Sequence, residues 1–206
     1  MTEAQGTPDF RGFWQWFADH HAEILEIMAG RRPGRVTDIL DDALRSRNLS
    51  FVYEVTEGTF GGELTFTPEG DDNVAKVIDH FVAMAPSFDT WVVHSRRQQK
   101  PLNAALAFTK AVHGIDLTGL HLNVRNLHGQ YHLQFIHREL AAADDDKRFA
   151  VAATFLDHAL GEALSMSIIG SVDFKAQGDG IDMPLVLNQI IREAEDSLEE
   201  DVEQAS

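Results

Sequence analysis

Ten histidines are the richest chemical resource in this sequence, and metal binding is the first chemistry that they raise. A closed tetrahedral site needs imidazole or thiolate pairs at short, fixed spacing. Cys is absent, and neither His-x-His nor His-Glu-x-x-His occurs. His128 and His132, four residues apart, read as the two sides of a turn at His128-Gly129 rather than as one helix face. No metal is expected. The Asp79-His80 and Asp157-His158 dipeptides suggest an oriented base, yet helix neighbours point about 100° apart and cannot hydrogen-bond each other well. Gly-x-Ser-x-Gly, the Walker phosphate loop and the dinucleotide fingerprint are missing, and the glycines of 58–62 lie between two strands and lead into no helix. The sequence therefore predicts no cofactor and no catalytic residue, and it points away from an enzyme.

What remains is binding chemistry. The predicted polar face of the sheet carries His94, His121, Arg125 and His132, the candidate ligand-binding residues. Phe13, Trp14, Trp16 and Phe17 spread wider than one helix face. Trp16 falls outside the Trp14-Phe17-His21 stripe, so it is either covered by the second helix or the sheet, or left as an anchor for a partner. Arg96-Arg97 with Lys100 is the strongest basic spot and reads as the frayed end of a strand. The 17 Lys and Arg face 33 Asp and Glu, a net charge of −16. Such a surface repels nucleic acid and anionic membranes and attracts a basic protein partner. Glu199, Glu200 and Asp201, in the acidic tail 199–206, are the remaining partner-binding candidates beside Trp16.

These residues must be positioned by elements that the hydrophobic pattern predicts. After a loose arm over 1–9, a helical pair spans 10–48, with Asp9 as N-cap and Phe10, Trp14, Phe17, His21, Ile24 and Met28 inward. Period-two alternation through Phe51, Tyr53 and Val55, then Leu64 and Phe66, predicts a hairpin. A helix to Ala85 follows, burying Val74, Val77, Ile78 and Phe81, and 91–96 is a third strand. Residues 102–112 read as a helix, although Ala104, Leu106 and Phe108 also alternate as in a strand. A second hairpin turning at His128-Gly129 places Val124 opposite Leu133, Leu122 opposite Phe135, Asn123 opposite Gln134 and Arg125 opposite His132, which sorts both faces. A helix over 144–163 with Phe149 inward, a strand over 166–174 and a closing helix over 184–198 with Leu185 inward complete the pattern. That helix is expected to fray beyond Leu198, because carboxylates near a helix C-terminus oppose its macrodipole.

The order strand, strand, helix, strand recurs over 50–97 and 119–175, which suggests two degenerate repeats. The expected fold is α+β: a single domain over 1–206, with one core and a largely antiparallel sheet carrying helices on one face. The absence of Cys, of a signal-peptide pattern and of any long apolar run sets the expectation of a cytoplasmic, non-membrane protein.

Three stretches carry a family resemblance. They are Phe13-Trp14-x-Trp16-Phe17, Glu63-Leu64-Thr65-Phe66-Thr67-x-Glu69-Gly70 with Ala85-Pro86 and Trp91 after it, and Leu156-Asp157-x-x-Leu160-Gly161-Glu162. Together they resemble a family of uncharacterised bacterial proteins of similar length. The resemblance implies a shared fold and carries no activity. The leading functional expectation is a non-enzymatic protein-binding module, of the immunity type, that meets a basic partner. The alternatives are an enzyme or small-ligand binder with its site on the polar sheet face, and a structural or oligomerising domain.

Overall fold

The computed structural model describes residues 6–59 and 61–204, with side chains described as far as Asp196. It is a mixed α+β fold in which the buried apolar residues form two clusters, where a single core is the sequence expectation. The clusters belong to two compact units, Met1–Arg97 and Gln98–Ser206. Each unit holds its own mixed sheet, in place of one largely antiparallel sheet.

In the first unit, Asp9 accepts a hydrogen bond from Gly12 N at 2.9 Å and starts α1 (Phe10–Met28). Helix α2 (Val36–Arg45) follows. Strands β1 (Val52–Gly58) and β2 (Gly61–Thr67) pair antiparallel, with Tyr53 opposite Phe66 and Val55 opposite Leu64. Helix α3 (Asp72–Ala83), capped by Asp71, carries the chain to β3 (Trp91–His94), which lies parallel to β2. Gly61 permits that approach: with φ at +151, an added Cβ would stand 2.1 Å from the Thr90 carbonyl oxygen.

The core gathers Phe13, Phe17, Leu64, Phe66, Ile78, Phe81 and Trp91. Helix α3 buries Ala75, Ile78 and Phe81 and leaves Val74 and Val77 exposed, contrary to the predicted stripe. Phe81 sits in the aromatic cluster and sets the helix's rotation, so the smaller valines fall to one side. Arg97 is no frayed strand end. Its side chain is buried, and it donates to Glu54 at 2.6 Å, Thr67 at 3.0 Å and Glu69 at 2.6 Å, fastening the chain after β3 to the hairpin. Burial works against that charge, but the carboxylates of Glu54 and Glu69 outweigh it and raise the guanidinium pKa.

In the second unit, α4 (Leu102–His113) ends at Gly114 in the left-handed region, and β4 (His121–Leu127) and β5 (Gln130–Ile136) form the second hairpin. The register is the one that sorts both faces: Val124 pairs with Leu133, Leu122 with Phe135, Asn123 with Gln134 and Arg125 with His132. His128 and Gly129 take φ of +56 and +83, the pattern of a two-residue primed turn. The short helix α5 (Arg138–Ala142) and then α6 (Asp145–Leu160) and α7 (Glu162–Ile168) lead to β6 (Ile169–Lys175), which runs parallel to β5. One predicted helix becomes two because Gly161 adopts φ +85, and the expected strand start at Met166 is still helical. Phe149 is exposed rather than inward, its ring 5.1 Å from Phe174.

A two-residue strand, β7 (Ile181–Asp182), and the closing helix α8 (Met183–Gln204) finish the chain, giving the strand order β6-β5-β4-β7. Helix α8 buries Met183, Val186, Leu187 and Ile190, with Leu185 outside the stripe. Its backbone extends to Gln204, past the predicted limit at Leu198. Residues from α4, α6 and α8 share one cluster with Leu122, Leu133 and Phe135, so the helices cover one face of this sheet. Among the described residues, no helix is long and apolar enough to cross a membrane.

Candidate functional site

The uncovered face of the four-stranded sheet is where candidate residues converge. Successive strand residues point to opposite faces, so the side that is not Leu122, Leu133 and Phe135 carries Asn123 and Arg125 from β4, His132 and Gln134 from β5, and Ser171 and Asp173 from β6. The side chains form two rows across the strands, Arg125-His132-Ser171 and Asn123-Gln134-Asp173. A β-bulge between Tyr131 and His132 sets the first row: Tyr131 pairs with Ile169 but His132 with Ser171, leaving Gly170 as the extra residue. Gly170 suits that position because an added Cβ would stand 3.1 Å from Gln130 Cβ and 3.3 Å from His132 Cε1.

These rows floor a concavity of about 510 Å³, bordered by Leu127 and Ile181. His132 Nδ1 lies 2.7 Å from Ser171 Oγ. When the hydroxyl donates to Nδ1, the neutral ring carries its proton on Nε2 and presents a second donor. Asn123 Nδ2 donates to Gln134 Oε1 at 3.3 Å and to the Asp179 carbonyl at 3.2 Å, so the amide row is tied together. Arg125 makes no ion pair among the described residues and is exposed.

Ser171 and His132 are two members of a nucleophile, base and orienter set. Among the described residues, no carboxylate hydrogen-bonds the other ring nitrogen. The arrangement suits recognition: a guanidinium, an imidazole and a hydroxyl in a line, beside amides and one carboxylate.

Arg125 and His132 are thus brought together as cross-strand partners. His121 shares their face but lies further along β4, where its Nδ1 is 2.9 Å from the Gly119 carbonyl and its Nε2 is 3.2 Å from Asp182 Oδ1. It fastens β4 to β7 rather than lining the concavity. His94 belongs to the other sheet, in β3 opposite Thr65, where burial lowers its pKa against the opposing pull of Glu63.

Trp16 is half-buried. Its ring lies 4.9 Å from His20 in a stacked arrangement, and the Arg47 guanidinium stands 5.6 Å from it. Glu199, Glu200 and Asp201 fall in the last turns of α8, and their side chains lie outside the described residues. No group of three or more His, Cys, Asp or Glu among the described residues could hold a metal ion. Sequence reasoning missed Ser171 and Asp173, although their alternation with Val172 and Phe174 was the available signal. Compared with protein-family models, curated proteins and solved structures, the chain matches none.

Proposed function

We propose that this chain is a binding module whose working surface is the polar face of the four-stranded sheet, where it takes a small polar ligand through a carboxylate or phosphate group. The observation that carries this reading is Arg125: in a chain of net charge −16, its guanidinium lies without an ion pair on a concavity of about 510 Å³, among the described residues. His132, whose Nε2 carries the proton when Ser171 donates to Nδ1, extends it with a further donor, while the amide row and Asp173 would orient the rest of the ligand. Charge-assisted hydrogen bonds of this kind contribute about 1.5–3 kcal/mol. A thermal-shift panel of small carboxylates and phosphate monoesters tests it. A concentration-dependent rise in Tm that is lost in Arg125→Ala supports the reading, and the same rise in both proteins refutes it.

Charge favours a second reading, the non-enzymatic module of immunity type that meets a basic protein. Association with such a partner should slow steeply as salt shortens the reach of a −16 surface. The strand-strand-helix-strand duplication belongs to the same proposal. Its support is that in each unit a helical crossover returns the chain to a third strand parallel to the hairpin's second strand.

A further inference from the structure

On the helix-bearing side of the second sheet lies a groove of about 800 Å³, lined by Ala163, Leu164, Ser167 and Ile168 of α7, the turn end of the β4–β5 hairpin with Tyr131, and Glu193, Ala194 and Asp196 of α8. Its floor is apolar and its charged rim is wholly acidic: among the described residues, neither Lys nor Arg lines it. The Tyr131 hydroxyl donates to Glu193 Oε2, and Gln189 Nε2 donates to Oε1 at 2.7 Å. These donors, with a smaller contribution from the charge of Arg192, lower the Glu193 pKa, so this carboxylate is charged at neutral pH.

We infer that this groove docks a cationic segment of a partner protein, one that lays a bulky apolar side chain on Leu164 and Ile168 and sets the positive charge of a neighbouring Lys or Arg against Glu193 and Asp196. A long cationic side chain suits the geometry because its methylene stem covers apolar surface while its head reaches the carboxylates. Other occupants fit less well. An anionic amphiphile meets like charge at the rim, and a second copy of this chain brings a −16 surface to the same place. The inference rests on the basic-partner reading and is independent of the polar sheet face.

The test follows amide chemical shifts of the labelled full chain during titration with a synthetic peptide of alternating lysine and leucine, beside a lysine and glycine peptide of equal charge. The expected result is saturable change centred on Tyr131, Leu164, Ser167, Ile168 and Asp196, with tighter binding of the leucine-containing peptide. Asp196→Lys, an exposed substitution, should weaken that binding about five- to tenfold, about 1–1.4 kcal/mol. Glu193→Gln, checked for retained fold by circular dichroism, should weaken it in the same direction. Changes spread over the acidic stretches 38–42 and 144–146, or equal affinity for both peptides, would overturn the groove while leaving a basic partner in place. No binding of either peptide at low salt would overturn both.

Discussion

Replacing Phe81 with Ala should remove a large part of the stability of the Met1–Arg97 unit. The ring is fully buried, with its centroid 4.7 Å from Trp14, 5.0 Å from Phe51 and Phe66, 5.2 Å from Phe10 and 5.3 Å from Phe13. Returning a Phe side chain to water costs about 2–3 kcal/mol. Lost ring pairs and the unfilled cavity bring the expected total to about 3–5 kcal/mol. Against a usual domain stability of about 5–15 kcal/mol, such a loss moves the unfolding midpoint far enough to measure. Urea unfolding followed by tryptophan emission is the assay, because Trp14, Trp16 and Trp91 all belong to this unit. The 2.7 Å hydrogen bond from Trp14 Nε1 goes to the Phe81 carbonyl, which the substitution keeps, so the probe stays in place. Phe81→Leu should cost less than the Ala variant, since it refills part of the space. A loss below about 1 kcal/mol in Phe81→Ala would show that the aromatic cluster does not hold the unit together.

Three further outcomes are expected. At the second hairpin, Gly129→Ala should cost about 1 kcal/mol because the residue sits at φ +83, whereas His128→Gly should cost nothing; equal losses in thermal melts monitored by circular dichroism would contradict the turn. Burial, then the Glu193 hydrogen bond, raises the Tyr131 pKa to about 12, and burial and Asp41 raise that of Tyr53 as well. Stability from neutral Tyr131 is therefore complete below pH 10 and lost as pH rises from 10 toward 12, and an alkaline absorbance titration showing both tyrosines ionising near 10 would refute it. Gly170→Val should disturb His132 and weaken any ligand held by the polar face, because the bulge leaves only 3.3 Å between an added Cβ and His132 Cε1; unchanged His132 ring shifts on substitution would refute that.

The hairpin between β4 and β5 was legible because side chains on both of its faces sort under one register, and His128-Gly129 supplies the required turn. That register alone makes Arg125 and His132 cross-strand neighbours. Ser171 was only half legible: alternation with Val172 and Phe174 marks the polar side of its strand, but the parallel pairing of β6 with β5 depends on a long crossover and on a bulge at Gly170, neither of which local periodicity encodes. The stripe errors share a cause. Val74, Val77 and Leu185 lie beside the buried positions on their helices: the large ring of Phe81 decides the rotation of α3, and α8 buries Met183, Val186, Leu187 and Ile190 together instead. Met166 to Ile168 illustrates a short apolar run that suits helix and strand alike, resolved here as the last turn of α7. Chain length suggested one core, but buried residues on either side of Arg97 form separate clusters.

If the polar face of the four-stranded sheet is a ligand site built on Arg125, amide and histidine-ring shift mapping with acetate and inorganic phosphate as minimal anions will locate it. Saturable changes should centre on Arg125, His132 and Ser171, extend to Asn123 and Gln134, and disappear in Arg125→Ala, while His94→Ala leaves them intact. A response of the same size in Arg125→Ala, or changes centred away from these two rows, would contradict it.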